Sequence, residues 1–374
     1  MANKSGALMM TYSAEELASV LKKRKVMEHE FYSARHIFSY ANWAMFFILL
    51  GGREAGKSYS ITDFFCRQFS NKGIPFTWLR LTENASRKLL MNNAEKLVDP
   101  DLRRKYNLDL FTNGNNVYAV TKRSKPDKHG KTKILEKKLF ARVYALSTFY
   151  NDKGSIFDKD FLDDPAMRYN IAVDEFEREK GEKNTFDILY SLVNQLENLV
   201  RSTKERIKIF FLGNTLEEAS DILCAFNFIP ETFGIFKLKS KRCVIENIEP
   251  SEAYLERRKG TIADILLPTA STFTNKIDTD NTLVNKKKRV HPSYVIRFGK
   301  DPKKQFTVWD SNIISEFKGE KVRTVSMRPY LDDVFNTEQR DNIMMLFDTR
   351  SFDFVNLIVF KKFQSELEVL RPRK

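Results

Sequence analysis

The sequence predicts an α/β fold with a mainly parallel central sheet, followed by a small linker or lid and a C-terminal α+β domain. Three observations predict the sheet: an apolar run that enters a glycine-rich turn and then a helix, a short apolar strand that ends in two carboxylates, and a later apolar strand that ends in an amide. They occupy residues 43–69, 169–175 and 207–214. Continuous apolar runs of this kind are typical of strands that are buried on both faces.

The glycine-rich turn fits the phosphate-binding P-loop pattern G-x-x-x-x-G-K-[ST]. Its residues are Gly51, Gly52, Arg53, Glu54, Ala55, Gly56, Lys57 and Ser58. The buried run Trp43–Leu50 precedes it, and Tyr59–Phe69 follows it with helical spacing. In such a loop backbone N–H groups close around phosphates, and the helix N-terminus adds positive potential. We therefore predict that the chain binds ATP, with Lys57 at the β- and γ-phosphates and Ser58 at Mg²⁺.

The second stretch, Tyr169–Glu175, reads as a Walker B strand. Its apolar part ends in Asp174 and Glu175, about 115 residues after the P-loop and with a predicted strand between them. We expect Asp174 to hold the Mg²⁺ shell beside Ser58, and Glu175 to orient and polarise the attacking water. Two acids after an apolar run are common in proteins, so the prediction depends on this spacing.

A third buried strand, Ile207–Gly213, ends at Asn214. A strand that ends in Asp-Glu, followed by a strand that ends in Asn, is the order found in the ASCE class of P-loop ATPases, in which the second polar residue senses the γ-phosphate. We expect Asn214 to have this role. The alternative is a turn residue after Gly213, because asparagine favours turns.

Other elements are predicted around these three. Phe76–Leu81 reads as a strand and Asn84–Val98 as a helix, and Asn116–Thr121 and Lys133–Leu146 read as a hairpin. Further helices are predicted at Thr185–Leu199, Ser251–Lys259, Thr337–Phe347 and Phe354–Leu370, and further strands at Tyr294–Phe298 and Gln305–Trp309. We predict an ATPase domain at residues 1–250, a linker or lid at 251–284 and a C-terminal domain at 285–374.

The charge is positive and localised. The chain has 63 Lys and Arg against 49 Asp and Glu, a formal net charge of +14. Residues 121–138 carry +6 and residues 285–374 carry +7, so the rest is nearly neutral. A basic excess favours a polyanionic partner, although runs of charged residues are often only part of the solvated surface. The candidate DNA contacts are Lys125, Lys128 and Lys131 at the hairpin tip, and Lys286, Lys287, Lys288 and Arg289 in the C-terminal domain.

The remaining features of the composition argue against several classes of protein. Three cysteines without metal spacing, Cys66, Cys224 and Cys243, predict reduced core thiols in a cytoplasmic protein rather than disulfides or a zinc site. The start of the chain has no long apolar segment of a signal peptide. No apolar run approaches the 18 or so residues that span a bilayer, so no membrane partner is expected.

These residues together resemble the genome-packaging ATPases of small tailed phages of the phi-29 type. The likeness runs from Phe38 to about Lys259. The resemblance depends on six stretches, which are the P-loop with Arg53 and the segments Trp78–Arg80, Ser147–Lys153, Val173–Lys180, Leu212–Asn214 and Glu256–Lys259.

The resemblance implies a pentameric ring that docks on the portal of a prohead and pumps double-stranded DNA, in some relatives with a structural RNA. It implies an arginine finger that one subunit gives to its neighbour, with Arg201 at the matching position and Arg206 as a rival. Lys153 matches a second basic residue that acts across the subunit interface. The C-terminal domain would be RNase H-like and a vestigial nuclease.

Three alternatives stay open on the sequence alone. One is an enzyme like the large terminases, with a working C-terminal nuclease in which Asp310 and Asp353 would be the candidate acids. Another is a non-viral DNA-binding P-loop ATPase. The third is a nucleotide-dependent module that binds nucleic acid without turnover, against which Glu175 argues.

Overall fold

The structure is a computed structural model that describes residues 31–126, 132–147, 168–176, 188–200, 206–214, 220–230, 232–266, 284–285, 287, 289–322, 324, 326–331 and 334–371. The chain divides into two compact units. The first comprises Met1–Phe176, Gln195–Thr215 and Phe233–Lys276, and the second comprises Glu177–Asn194, Leu216–Thr232 and Ile277–Lys374. Within the described residues, no helix is long and apolar enough to cross a membrane.

The first unit contains a nine-stranded sheet. Its strands are β1 (Phe46–Leu50), β2 (Phe76–Arg80), β3 (Leu110–Asn113), β4 (Asn116–Arg123), β5 (Ile134–Ala145), β6 (Tyr169–Asp174), β7 (Ile207–Gly213), β8 (Gly234–Leu238) and β9 (Cys243–Asn247). Their order is β3-β4-β5-β2-β6-β7-β1-β9-β8. The strands from β5 to β9 in this order are mutually parallel, and antiparallel pairs occur only at the two ends. This architecture confirms the predicted α/β fold with its mainly parallel sheet.

Helices connect these strands. They are α1 (Lys57–Lys72), α2 (Glu83–Ala94), α3 (Pro100–Tyr106), α4 (Ile188–Val200), α5 (Asp221–Ala225), α6 (Glu252–Arg258) and α7 (Ile262–Leu266). A 3₁₀ helix, Ala34–Tyr40, precedes β1. Three of these strands and three of these helices were not predicted: β3, β8, β9, α3, α5 and α7. All six are short, and too few residues of each carry a periodic pattern to show in the sequence.

Aromatic side chains fill the core between α1 and the sheet. Phe65 of α1 lies with its ring centroid 4.8 Å from that of Phe76 and 5.6 Å from that of Phe210. Phe47 stacks on Phe210 at 4.9 Å. All four side chains are buried. This packing fixes α1 against β1, β2 and β7, and so it fixes the loop from which α1 begins.

Strand order brings the predicted polar residues to one edge of the sheet. The strand β7 lies between β1 and β6, with Leu50 beside Gly213 and Asp174 beside Leu212. The P-loop, the Asp174–Glu175 pair and Asn214 follow these three adjacent strands. Because the strands are parallel, all three features lie at the same edge of the sheet.

The second unit is α+β, as predicted. Its sheet has the order β10-β11-β12-β15, antiparallel except for the last pair, with Pro292–Arg297, Gln305–Trp309, Ile313–Glu316 and Asp353–Phe354 as the four strands. A two-stranded ribbon pairs β13 (Tyr330–Leu331) with β14 (Val334–Phe335), and the helices α8 (Thr337–Asp348) and α9 (Leu357–Leu370) follow. Phe363 of α9 packs on Phe306 and Phe354 of the sheet. The RNase H-like character of this unit and the predicted domain boundaries stay predictions.

Candidate active site

The P-loop is shaped for close approach of a phosphate. Gly56 has a φ of 99°, a left-handed backbone that a side chain would strain, and a Cβ there would lie 3.1 Å from the Cβ of Phe31. The helix α1 begins at the next residue without a side-chain cap. Its first N–H groups have no partner within the helix and point at the loop, which is the arrangement that binds anions.

Lys57 lies across the mouth of this loop. Its Nζ donates to the carbonyl oxygens of Gly51 at 2.7 Å and Gly52 at 2.8 Å, and only 7% of the residue is exposed. Burial lowers the pKa of Lys57 to about 8, although the carboxylates of Asp174 and Glu175 act in the opposite direction. The ammonium group is therefore held by neutral carbonyl oxygens where the pattern places phosphates.

Ser58 and Asp174 meet as predicted for a magnesium shell. The Ser58 Oγ donates to Oδ1 of Asp174 at 3.3 Å. Burial raises the pKa of the Asp174 carboxyl, and Arg80 is the main group that opposes this rise. A hydroxyl and a carboxylate are oxygen ligands of the kind that Mg²⁺ prefers, so these two residues fit the ion.

Arg80 was not predicted as a site residue, yet it contacts both acids of the Walker B pair. It is the last residue of β2, which lies beside β6 with Leu79 opposite Val173. One guanidinium nitrogen lies 2.9 Å from Oδ2 of Asp174, and the other forms an ion pair with Glu175. The sequence does contain one indication of this role, because Arg80 is a cation at the end of a predicted strand that precedes the Asp174–Glu175 strand.

The backbone holds Glu175 in an unusual conformation. Its φ is 51°, a left-handed value that non-glycine residues rarely adopt and that often marks functional sites. Its N–H donates to the carbonyl of Leu212 at 2.9 Å, while 57% of its side chain is exposed. The carboxylate of Glu175 therefore reaches solvent at the edge of the sheet where the P-loop opens.

Asn214 extends this edge on the strand between the other two. It follows Gly213, where a Cβ would lie 2.7 Å from the ring of Phe176. Because only glycine fits there, the end of β7 packs closely against the residue after Glu175. The site prediction for Asn214 is compatible with this position, and its sensor role stays a prediction.

The helix α6, expected within a linker or lid, contacts the P-loop. The Tyr254 hydroxyl donates to the carbonyl of Arg53 at 2.9 Å, and Arg257 donates to that of Glu54 at 2.8 Å. Arg258 lies 3.3 Å from the Arg53 carbonyl. These bonds fix the outer side of the loop. Arg257 and Arg258 belong to the segment Glu256–Lys259 of the family resemblance, whereas Tyr254 was not singled out in the sequence.

Several predicted residues lie outside the described part of the chain. They are Arg201, Lys153, Lys128, Lys131, Lys286 and Lys288. Arg206, the rival of Arg201, precedes β7 and so lies at the end of that strand opposite Asn214. Lys125 is exposed beyond β4 in the first unit, and Lys287 and Arg289 are exposed in the second.

Comparison with known proteins gives matches in structure alone. No protein-family model matches the sequence, and no curated protein matches it. The bacteriophage Phi-29 viral genome packaging motor assembly matches with a TM-score of 0.60 and 19% identity, over 91% of this chain and 100% of that chain. The Phi-28 DNA packaging motor matches with a TM-score of 0.59 and 13% identity, over 92% and 100%. At this identity the likeness establishes the fold, across both units of the chain.

Proposed function

We propose that this chain is an ATP-hydrolysing motor that moves double-stranded DNA into a viral prohead through its portal. The observation that carries the proposal is the meeting of Lys57, Ser58, Asp174 and Glu175 at one edge of the sheet, with Asn214 on the strand between. The fold likeness to two DNA packaging motors, each matched over its whole length, supports the choice of this activity among those of P-loop proteins.

Each site residue has a defined task in this reaction. Lys57 and the N–H groups of α1 bind and orient the β- and γ-phosphates, and Glu175 accepts a proton from the attacking water. A bound Mg²⁺, held by Ser58 and Asp174, would neutralise phosphate charge. Arg80 offsets part of the negative charge of the two acids before nucleotide binds, and its ion pair holds Glu175 in place. Positioning and electrostatics supply most of the rate in phosphoryl transfer.

The assembly is proposed on the same basis. A ring of five subunits on the portal would let Arg201 act on a neighbour's γ-phosphate, with Lys153 as a second basic residue at that interface. Arg206, the rival, is separated from the P-loop edge of its own subunit by the length of β7, so it too would act only on a neighbour's site. The basic charge suits a structural RNA as well as DNA.

A working nuclease is the weaker candidate. Among the described residues, no group of three or more His, Cys, Asp or Glu side chains could hold a metal ion. Asp310 is hydrogen-bonded to Ser293, and Asp353 accepts from the amide of Asn285. Metal-dependent cutting of plasmid DNA, lost on Asp310→Asn, would favour the nuclease over the motor without cutting activity.

One experiment tests the proposed function directly. The purified chain is assayed for ATP turnover with and without double-stranded DNA, while its assembly is weighed by native mass spectrometry. We expect turnover that DNA stimulates and a mass of five subunits. DNA binding without any turnover would instead indicate a nucleotide-dependent binding module.

The lowered pKa of Lys57 predicts a pH dependence of nucleotide binding. The free amine loses its proton as the pH rises through about 8, whereas phosphates beside it favour the protonated form. Binding therefore takes up a proton above this pH, and affinity for Mg-ATP should fall about tenfold between pH 7 and pH 9. Calorimetric titration in two buffers of different ionisation heat measures both the affinity and the proton uptake. A constant affinity over this range would contradict the prediction.

Replacing Arg80 with alanine should shift the acid limb of the ATPase pH profile upward. Arg80 opposes the rise of the Asp174 pKa that burial causes, so its loss lets Asp174 protonate at a higher pH. A neighbouring arginine typically changes a carboxyl pKa by about 1–3 units, and a shift of this order is expected. Arg87→Ala removes an exposed ion pair with Glu83 on α2 and is the matched control. An acid limb at the position of the control would contradict this role of Arg80.

A further inference from the structure

Basic side chains follow the amino-terminal edge of the large sheet, opposite the edge that carries the P-loop. Arg168 precedes β6, Arg206 precedes β7 and Arg242 precedes β9. Tyr169 pairs with Ile207 in parallel register, so Arg168 and Arg206 precede paired residues on adjacent strands. Neither charge run that the sequence analysis selected for DNA includes any of these residues.

Two of the cations at this edge bind the turn that leads into β1. The Lys208 Nζ donates to the carbonyl oxygens of Ala41 at 2.6 Å and Ala44 at 2.5 Å. The Arg242 Nε donates to the carbonyl of Trp43 at 3.3 Å. Since β7 and β9 flank β1, these two cations hold the turn from both sides.

The charges are close enough to affect one another. Burial lowers the pKa of Lys208 to about 8, and the like charges of Arg242 and Arg168 act in the same direction. Like charges disfavour protonation only within a short range. The three groups therefore form one positive cluster, and the buried Lys208 is its innermost member.

A tight turn adds two exposed cations. The 3₁₀ turn Lys239–Lys241 connects β8 to Arg242, whose N–H donates to the Lys239 carbonyl at 3.0 Å. Lys239 and Lys241 are both exposed. Within the described ranges, neither lysine forms an ion pair with a carboxylate.

We infer that this edge binds the phosphate backbone of a double-stranded nucleic acid. The binding surface, here called the cationic edge, consists of Arg168, Arg206, Lys239, Lys241 and Arg242. Guanidinium groups match phosphate oxygens in two-pronged geometry. Arg168, Lys239 and Lys241 are exposed, whereas the centre of a protein interface is usually depleted of charged residues, which favours a nucleic acid over an acidic protein.

The dimensions of the cationic edge suit a duplex. It extends from β6 to β8 across four strand intervals, or about 19 Å at the usual strand spacing. A duplex presents roughly eleven phosphate charges over that length. The interactions involve backbone charge alone, so binding should not depend on base sequence.

The location separates this surface from the nucleotide. The seven residues of β7 run from the cationic edge to the P-loop edge, a separation of about 20 Å. A duplex held here would leave the mouth of the P-loop open, so ATP and the duplex can bind together. The inference rests on the proposed function, because it identifies the surface of the first unit that contacts the DNA which the motor moves.

The test compares salt dependence in matched variants. Lys239→Gln with Lys241→Gln removes two charges from the cationic edge, and adding Arg168→Gln removes a third. Lys88→Gln with Lys96→Gln removes two exposed charges of the same unit elsewhere and is the control. Fluorescence anisotropy with a short labelled DNA duplex gives log affinity against log salt. We expect the slope to fall by about 0.9 for each phosphate that is no longer neutralised, and the control to keep the wild-type slope.

Further measurements identify the ligand and test the inference independently of the proposed ATPase activity. An RNA duplex that shows the same dependence on Lys239 and Lys241 would assign the surface to duplex backbones in general, and a response to DNA alone would assign it to the B-form. A slope equal to that of the control, or dependence on these lysines only for a poly-glutamate peptide, would overturn the inference. Basal ATP turnover is measured on the same proteins without nucleic acid. Its absence in the wild type would refute the proposed function, whatever the slopes show.

Discussion

Replacing Lys57 with alanine is expected to abolish ATP turnover. The ammonium group lies at the mouth of the P-loop, bound to the carbonyls of Gly51 and Gly52, with the carboxylates of Asp174 and Glu175 near it. Phosphates that enter the loop would become its strongest partners. Its charge then acts in both ground and transition states, so nucleotide affinity and hydrolysis should both fall, hydrolysis by a factor on the order of 10² or more.

The control for this variant is chosen on the same helix. Lys72 is the last residue of α1 and is exposed, so Lys72→Ala should leave turnover near the wild-type rate. Circular dichroism melts of both variants establish that they are folded. Near-normal hydrolysis by a folded Lys57→Ala protein would end the assignment of this loop to nucleotide phosphates.

Glu175→Gln is expected to separate binding from chemistry. The glutamine has the same shape but is a far weaker base, so hydrolysis should slow by roughly two or more orders of magnitude. ATP binding should persist, because Lys57, Ser58 and the N–H groups of α1 are unchanged. Stability should change little, since the ion pair of Glu175 with Arg80 involves a carboxylate that is 57% exposed. Single-turnover hydrolysis and the affinity for a fluorescent ATP analogue measure the two effects separately.

Glu83→Gln is the matched control for this measurement. Glu83 is also an exposed glutamate in an ion pair with an arginine, Arg87 on α2, but it follows a different strand from the proposed catalytic pair. Its substitution should affect neither quantity. If Glu175→Gln instead abolishes ATP binding while the fold survives, then Glu175 contributes to binding and some other group activates water.

The helix α2 illustrates where sequence pattern and structure diverge. Apolar spacing predicts a helix over Asn84–Val98, and the structure has Glu83–Ala94 with non-helical backbone from Met91 to Asn93. Two consecutive asparagines tolerate the left-handed conformation better than most residues. The periodic pattern continues across this kink because Leu97 and Val98 still face the core.

Three features of this protein follow from the sequence alone. They are the P-loop, the buried strands that end at the proposed site residues, and the mainly parallel sheet. Each depends on local spacing: glycines at fixed offsets before Lys57, or unbroken apolar runs such as Phe46–Leu50 that can only be buried. Chemistry of this kind is readable because the interacting groups are neighbours along the chain or follow a periodic element.

The tertiary structure alone decided which distant residues share the site. Arg80 lies 94 positions before Asp174 in the chain, and only the pairing of β2 with β6 brings its guanidinium onto the two acids. Tyr254 reaches the P-loop in the same way, through the position of α6. The cationic edge exists because parallel strands begin at one edge, which gathers Arg168, Arg206 and the turn Lys239–Arg242 from distant parts of the sequence. Strand order and register, not local pattern, therefore set the charges around both edges of this sheet.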